Sequence, residues 1–84
     1  MSNSEEKEIY ADIFNDTATI TIYSDTITDS SIIEISKIFE IIFPEFKISY
    51  LSMVKDELFI TFPLPKGWSQ NEVKIIAEDI STRL

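Results

Sequence analysis

The sequence has no cysteine and no histidine, one glycine and three prolines among its 84 residues. Without cysteine there is no disulfide framework and no thiolate metal site. Without histidine the commonest general base and the commonest zinc ligand are missing together. The scarcity of glycine and proline, beside a hydrophobic content of 44%, argues against disorder. No apolar run approaches the ~18 residues of a membrane span. Met1 to Glu8 is polar and acidic and lacks the apolar core of a signal peptide. These absences lead us to expect a cytoplasmic chain that does not engage a membrane.

What is present fits one domain with one core. A chain of this length buries only roughly 60% of its unfolded surface, so its stability is marginal and partners often add to it. Isoleucine dominates the apolar set with 16 residues. That composition suits a heat-stable protein and an AT-rich genome equally well. The net charge of -8 is unevenly spread. Residues 1–45 hold ten acids and two lysines, whereas residues 46–84 hold five acids and five bases. Between Glu8 and Glu34 there are six acids and no base. Such a surface repels phosphate backbones, so direct nucleic-acid binding is not expected.

Residues 1–7 read as a flexible leader and residues 8–84 as a single α+β domain. Glu8 to Phe14 and Thr17 to Tyr23 alternate apolar and polar residues with β-branched enrichment, the pattern of strands. Asn15-Asp16 between them suits a two-residue turn, because both residue types tolerate positive φ. The first run also fits a short helix through Ile9/Ile13 and Tyr10/Phe14. Thr28 is placed to cap a helix, with Ile27 and Ile32 as a hydrophobic staple and Asp29 near the positive end of the dipole. That helix presents Ile32, Ile35, Ile38, Phe39, Ile42 and Phe43 on one face and stops at Pro44. Phe46 to Val54 and Glu57 to Phe62 read as a second hairpin joined by Lys55-Asp56. Ser69 and Glu72 form a capping-box pattern, with Trp68 and Val73 as staple. Val73, Ile76, Ala77, Ile80 and Leu84 line one stripe of this last helix. The order β-β-α-β-β-α predicts a two-layer sandwich: an antiparallel sheet with two helices on one face.

The uncovered sheet face is the first candidate surface. With simple alternation it carries Thr17, Thr19, Thr21, Tyr23, Lys47, Ser49, Leu51, Met53, Phe59 and Thr61. A solvated sheet face normally reads polar, so Leu51, Met53 and Phe59 there would mark an interface; alternatively, the first strand or the leader covers them. Ile33 and Ile41 fall among polar residues of the first helix and offer a second contact, although single exposed apolar residues are ordinary. Asp12, Asp16, Asp25, Asp29 and Glu34 form the acidic surface, either a phosphate mimic or simply a solvated, solubilising face.

The remaining motifs have structural explanations. Asp25 to Ser31 is rich in oxygen but lacks the glycine and terminal glutamate of a calcium loop, and a helix cap explains it. Lys66-Gly67-Trp68-Ser69 joins a cation to a helix start, but its spacing is not that of a phosphate loop. Asp56/Glu57 and Glu78/Asp79 are adjacent pairs, and neighbours on a strand point to opposite faces. No serine, threonine or lysine has an evident activating partner. Hence we expect no enzyme, no catalytic residue, no metal and no cofactor.

From Thr17 onward the layout of strand, helix, Pro-Glu, strand, strand, helix resembles the small dimerising subunit family of the KEOPS tRNA-modification complex. The residues that carry the likeness are Ile38-Phe39-Glu40-Ile41-Ile42-Phe43-Pro44-Glu45, where a helix ends in Pro-Glu. The strand at Glu8 to Phe14 departs from that family. So does the last helix, where Glu72 to Ile80 has only Lys74 as a base in place of an arginine-containing motif. The resemblance implies a dimer with a scaffolding role and no catalytic residues.

Together these features lead to the expectation of a non-catalytic protein–protein interaction module, a homodimer or a small subunit of a larger assembly. The alternative is a small acidic inhibitor, virus- or plasmid-encoded, that blocks a nucleic-acid-binding protein by mimicking its ligand.

Overall fold

The computed structural model of the chain describes residues 8–83; the leader expected over residues 1–7, and Leu84, lie outside the described residues. The elements are, in order, β1 (Glu8–Phe14), β2 (Thr17–Tyr23), α1 (Asp29–Ile41), β3 (Tyr50–Val54), β4 (Glu57–Pro63) and α2 (Gln70–Arg83). The strands form one sheet in the order β1-β2-β4-β3, with every neighbouring pair antiparallel. Both helices pack on the same face, so the fold is the α+β sandwich that the sequence pattern predicts.

Local chemistry sets the elements. Asn15 and Asp16 both take left-handed backbone angles, with φ of 51° and 64°. Two positive φ values in a two-residue loop match the right-handed twist of the flanking strands. This turn fixes β1 as a strand and pairs Phe14 with Thr17. At the start of α1 the Thr28 N–H donates to Ser31 Oγ at 3.0 Å. At the start of α2 the Ser69 N–H donates to Glu72 Oε1 at 2.8 Å, and the Glu72 N–H donates back to Ser69 Oγ at 3.4 Å. These bonds satisfy N–H groups that have no partner inside the helix. Just before that cap, Gly67 has φ of +95°, which an L side chain rarely adopts.

The core is built as rows across the sheet. Ile9, Ile22, Leu58 and Met53 form one row, Ala11, Ile20, Ile60 and Leu51 a second, and Ile13, Ala18 and Phe62 a third. The residues of these rows on the central strands β2 and β4 are fully buried. Ile35, Ile38 and Phe39 of α1 cover them, as do Val73, Ile76, Ala77 and Ile80 of α2. Each fully buried side chain of this size contributes about 1.5–3 kcal/mol. Phe46 is the hub of an aromatic cluster, with ring centroids 4.8 Å from Phe62, 5.0 Å from Trp68, 6.2 Å from Phe43 and 6.4 Å from Phe39.

Two expectations about the elements are corrected. The run Phe46 to Val54 is strand only from Tyr50 onward. Phe46 and Ile48 pack inward, as do Leu51 and Met53, so the alternation shifts by one residue between Ile48 and Leu51. The shift falls at Ser49, whose N–H and Oγ both donate to the Thr61 carbonyl, at 2.8 and 3.1 Å. Tyr50 is also the partner of Thr61. Two residues therefore oppose one, as at a β-bulge, and the extra residue exchanges the faces. The first helix ends at Ile41, with Ile42 as C-cap beside Phe43, as expected where a residue that precedes proline is steered out of the α region. Ile42, expected on the buried face, is the C-cap and is 39% exposed.

Edge strand β1 is guarded at its middle. Gln70 Nε2, from the first turn of α2, donates to the Ala11 carbonyl at 2.9 Å. A polar side chain placed there discourages pairing with another strand.

Urea and thermal unfolding check these assignments. Phe46→Ala is expected to lose about 3–5 kcal/mol in urea unfolding, a large share of the ~5–15 kcal/mol of a typical domain. Phe14→Ala, at a site 78% exposed, is expected to change stability by less than about 0.5 kcal/mol. Asp16→Gly, which relieves a left-handed non-glycine residue, is expected to raise stability by roughly 0.5 kcal/mol and to shift the thermal midpoint upward.

Candidate functional site

Register assigns every outward side chain of the sheet. The first outward row is Glu8, Tyr23, Glu57 and Val54, and the second is Tyr10, Thr21, Phe59 and Ser52. Asp12, Thr19, Thr61 and Tyr50 make the third, and Phe14, Thr17 and Pro63 the fourth. Among the described residues no helix lies over these rows. Each strand thus contributes an aromatic side chain to the open face, namely Tyr10, Phe14, Tyr23, Phe59 and Tyr50. Tyr50 is 59% exposed, and Tyr10 is half exposed. The centre of the face between them is threonine and serine, and its acids are Glu8, Asp12 and Glu57. Among the described residues no lysine or arginine belongs to the four rows.

One corner of the face is tightly organised. Tyr10 and Tyr23 meet edge to face, with ring centroids 5.7 Å apart. The Tyr10 hydroxyl donates to Glu8 Oε1 at 3.4 Å. Glu8 and Glu57 flank Tyr23 from the strands on either side, two strand spacings apart, or about 9–10 Å between backbones. The Tyr23 hydroxyl has its pKa raised above 10.0, first by its hydrogen bond to the Glu57 carboxylate, then by partial burial, and then by the charges of Glu57, Tyr10 and Glu8. Phe59, paired with Thr21, stands diagonally beside Tyr23 and extends the apolar surface toward β3.

The expected site residues divide between surfaces. Tyr23 and Phe59 are on the open face as expected. Leu51 and Met53 are not: they pair with Ile60 and Leu58 and pack under the helices. The one-residue shift at Ser49 put them there, and the same shift turned Tyr50 and Val54 outward. Lys47 and Ser49, also expected on this face, precede β3. Ile33 and Ile41 are exposed on α1, Ile41 by 74%, on the helical layer and away from the open face. The five acids form no single track. Asp12 is on the open face and Asp16 is in the β1–β2 turn. Asp25 and Asp29 are beyond the other end of β2, and Glu34 is on α1. Tyr10, Tyr50, Glu8 and Glu57 were not singled out from the sequence. The alternation of β1 contains the signal for Tyr10 and Glu8, once that segment is taken as an edge strand.

A concavity of about 670 Å³ lies between the C-terminal half of α1 and the segment leading into β3; Phe39, Glu40, Phe46, Lys47 and Tyr50 contribute to its walls. Among the described residues no group of three or more acidic side chains is placed to hold a metal ion. No helix among them is long and apolar enough to cross a membrane. No family model matches the chain, and neither curated proteins nor solved structures give a significant match.

The Tyr23 environment gives a pH prediction. A raised folded value means that the contribution to stability is complete below about pH 10, the ordinary tyrosine range. It is lost as pH rises through the higher folded value. Phenolate absorbance is expected to show one tyrosine ionising late, and Glu57→Gln is expected to bring it back toward the ordinary range. An unchanged titration in that variant would contradict the assigned hydrogen bond.

Proposed function

We propose that the chain is a non-catalytic protein–protein interaction module that binds through the open face of its sheet, as a homodimer or as a small subunit of a larger assembly. The observation that carries this reading is the set of aromatic side chains contributed by all four strands. A sheet face left to solvent alternates to polar residues. Tyrosine and phenylalanine here present large, stiff apolar area that costs little entropy to order, the composition of interface anchors. Both helices pack on the other side, so among the described residues neither covers this face. The layout resemblance to the small KEOPS subunits supports a scaffolding role, and one specific form of the proposal is a subunit of that kind.

Aromatic side chains on a sheet also serve single-stranded nucleic acids as stacking platforms, but those platforms work within a cationic groove. The three acids on this face, and the absence of any base among its described residues, speak against that use. The same charge favours a second reading, an acidic inhibitor that covers the binding surface of a nucleic-acid-binding protein. In that form Asp12 acts together with Glu8 and Glu57, while Asp25, Asp29 and Glu34 are too distant to join it.

Sedimentation equilibrium of the purified chain, and capture of partners from the native host on immobilised protein, test the proposal together. Phe59→Glu and Tyr50→Glu are expected to abolish the association, whether with itself or with a partner, while far-ultraviolet circular dichroism stays unchanged. Ile33→Glu and Ile41→Glu are expected to leave it intact. Association that survives the first pair and is lost with the second would move the binding surface to α1 and end the sheet-face reading.

A further inference from the structure

We infer that the corner built from Glu8, Tyr10, Tyr23 and Glu57 receives a lysine or arginine side chain of a partner protein; the inference rests on the sheet-face reading above. Three observations carry it. The first is geometric. Tyr23 lies in a row between two carboxylates, and Tyr10 meets it edge to face at 5.7 Å. A cation over an aromatic ring, within hydrogen-bonding reach of carboxylates, is held by the ring quadrupole and by charge-assisted hydrogen bonds at once. The second is the charge balance. Among the described residues the bases are Lys37 on α1, Lys47 before β3, Lys55 in the β3–β4 turn, Lys66 before α2, and Lys74 and Arg83 on α2. None of them belongs to the open rows. The ion pair among the described residues joins Arg83 to Asp79 at 3.2 Å, away from this corner. Among the described residues the carboxylates of the corner thus have tyrosine hydroxyls for neighbours and no ion-pair partner.

The third observation excludes the simplest alternative occupant. Two copies meeting face to face about a two-fold axis present the same patch to each other. That contact brings together two faces that each carry Glu8, Asp12 and Glu57 and, among the described residues, no base. Like charges brought together in a desolvated contact disfavour that pairing. A contact between this face and the base-bearing helix α2 of another copy is head-to-tail, and it builds rings or filaments rather than a closed pair. A different protein that carries an exposed cationic side chain among apolar ones satisfies the face without either difficulty.

The test uses the full chain, labelled with nitrogen-15, and two capped hexapeptides. One alternates arginine with leucine. Its twin has citrulline, which keeps the shape and removes the charge, in place of each arginine. The arginine peptide is expected to shift the amide resonances of Glu8, Tyr10, Tyr23 and Glu57 and to bind at least about tenfold more tightly than its twin. Glu8→Gln with Glu57→Gln is expected to cut that binding about tenfold. Glu34→Gln with Glu78→Gln, which removes as much charge elsewhere, is expected to change it less than about twofold. Equal binding of the two peptides, shifts centred outside the corner, or equal losses in both double variants would each overturn the inference. If they do so while Phe59→Glu still abolishes association, the sheet face remains the interface and only the cationic partner is lost. If Phe59→Glu has no effect on any association, the sheet-face reading fails with it.

Discussion

The packing of Phe46 is the constraint on which the rest of the architecture turns. Its ring lies against Phe62 of β4, Trp68 before α2, and Phe39 and Phe43 at the end of α1. One side chain thus ties the layer of helices to the sheet at the place where the chain leaves α1. It also constrains the entry into β3. Phe46 must point inward, and Ile48 points inward with it, but β3 needs Leu51 and Met53 on the inner face to complete its rows. These demands are compatible only if one residue is added, and the double hydrogen bond from Ser49 to the Thr61 carbonyl accommodates it. Tyr50 and Val54 are outward as a consequence. The open face therefore owes part of its aromatic character to a core contact on the opposite side of the sheet.

The same economy appears at the edges. Strand β1 is fastened by a left-handed turn at Asn15-Asp16 and covered at its middle carbonyl by Gln70. A free edge is the ordinary route by which a small sheet recruits another strand. With β1 guarded and β3 only five residues long, the broad outward surface becomes the more available one. Its threonine rows add cross-strand packing of modest value. They also keep the centre of the face polar enough to remain in water. The apolar side chains sit around that centre rather than in one continuous sheet of hydrocarbon.

Much of the fold was legible in the sequence because local chemistry and hydrophobic period agreed. Ser69 with Glu72, Thr28 with its staple residues Ile27 and Ile32, and Asn15-Asp16 each name an element boundary that the structure keeps. The order β-β-α-β-β-α and the burial of helices on one sheet face derive from them. The candidate site was less legible, for one physical reason. Alternation reports which residues share a face only while the register is unbroken, and nothing in the types of Lys47 to Tyr50 marks the extra residue. Leu51 and Met53 were therefore assigned to the wrong side, whereas Tyr23 and Phe59, on strands without a bulge, were assigned correctly. The acidic residues failed differently. They are near one another in sequence, but β2 separates Asp16 from Asp25 by the length of a strand, so proximity along the chain did not become a surface.

Exposure of an aromatic side chain is not in itself a sign of function. The Tyr10–Tyr23 pair has the edge-to-face geometry worth roughly 0.5–1.5 kcal/mol to stability alone, and a sheet could keep it for that. The carboxylates beside it accept from the tyrosine hydroxyls, but among the described residues no base balances their charge. Glu8 and Glu57 lie in one row on either side of Tyr23, and across two strand spacings their like charges repel weakly. Lysine at either position would relieve the repulsion and add a favourable contact with the ring. For stability alone a base beside the two acids would serve better, and none is present among the described residues of this face. A face that must stay open until a cation arrives would be built this way, because each of the costs disappears when the charge is supplied from outside.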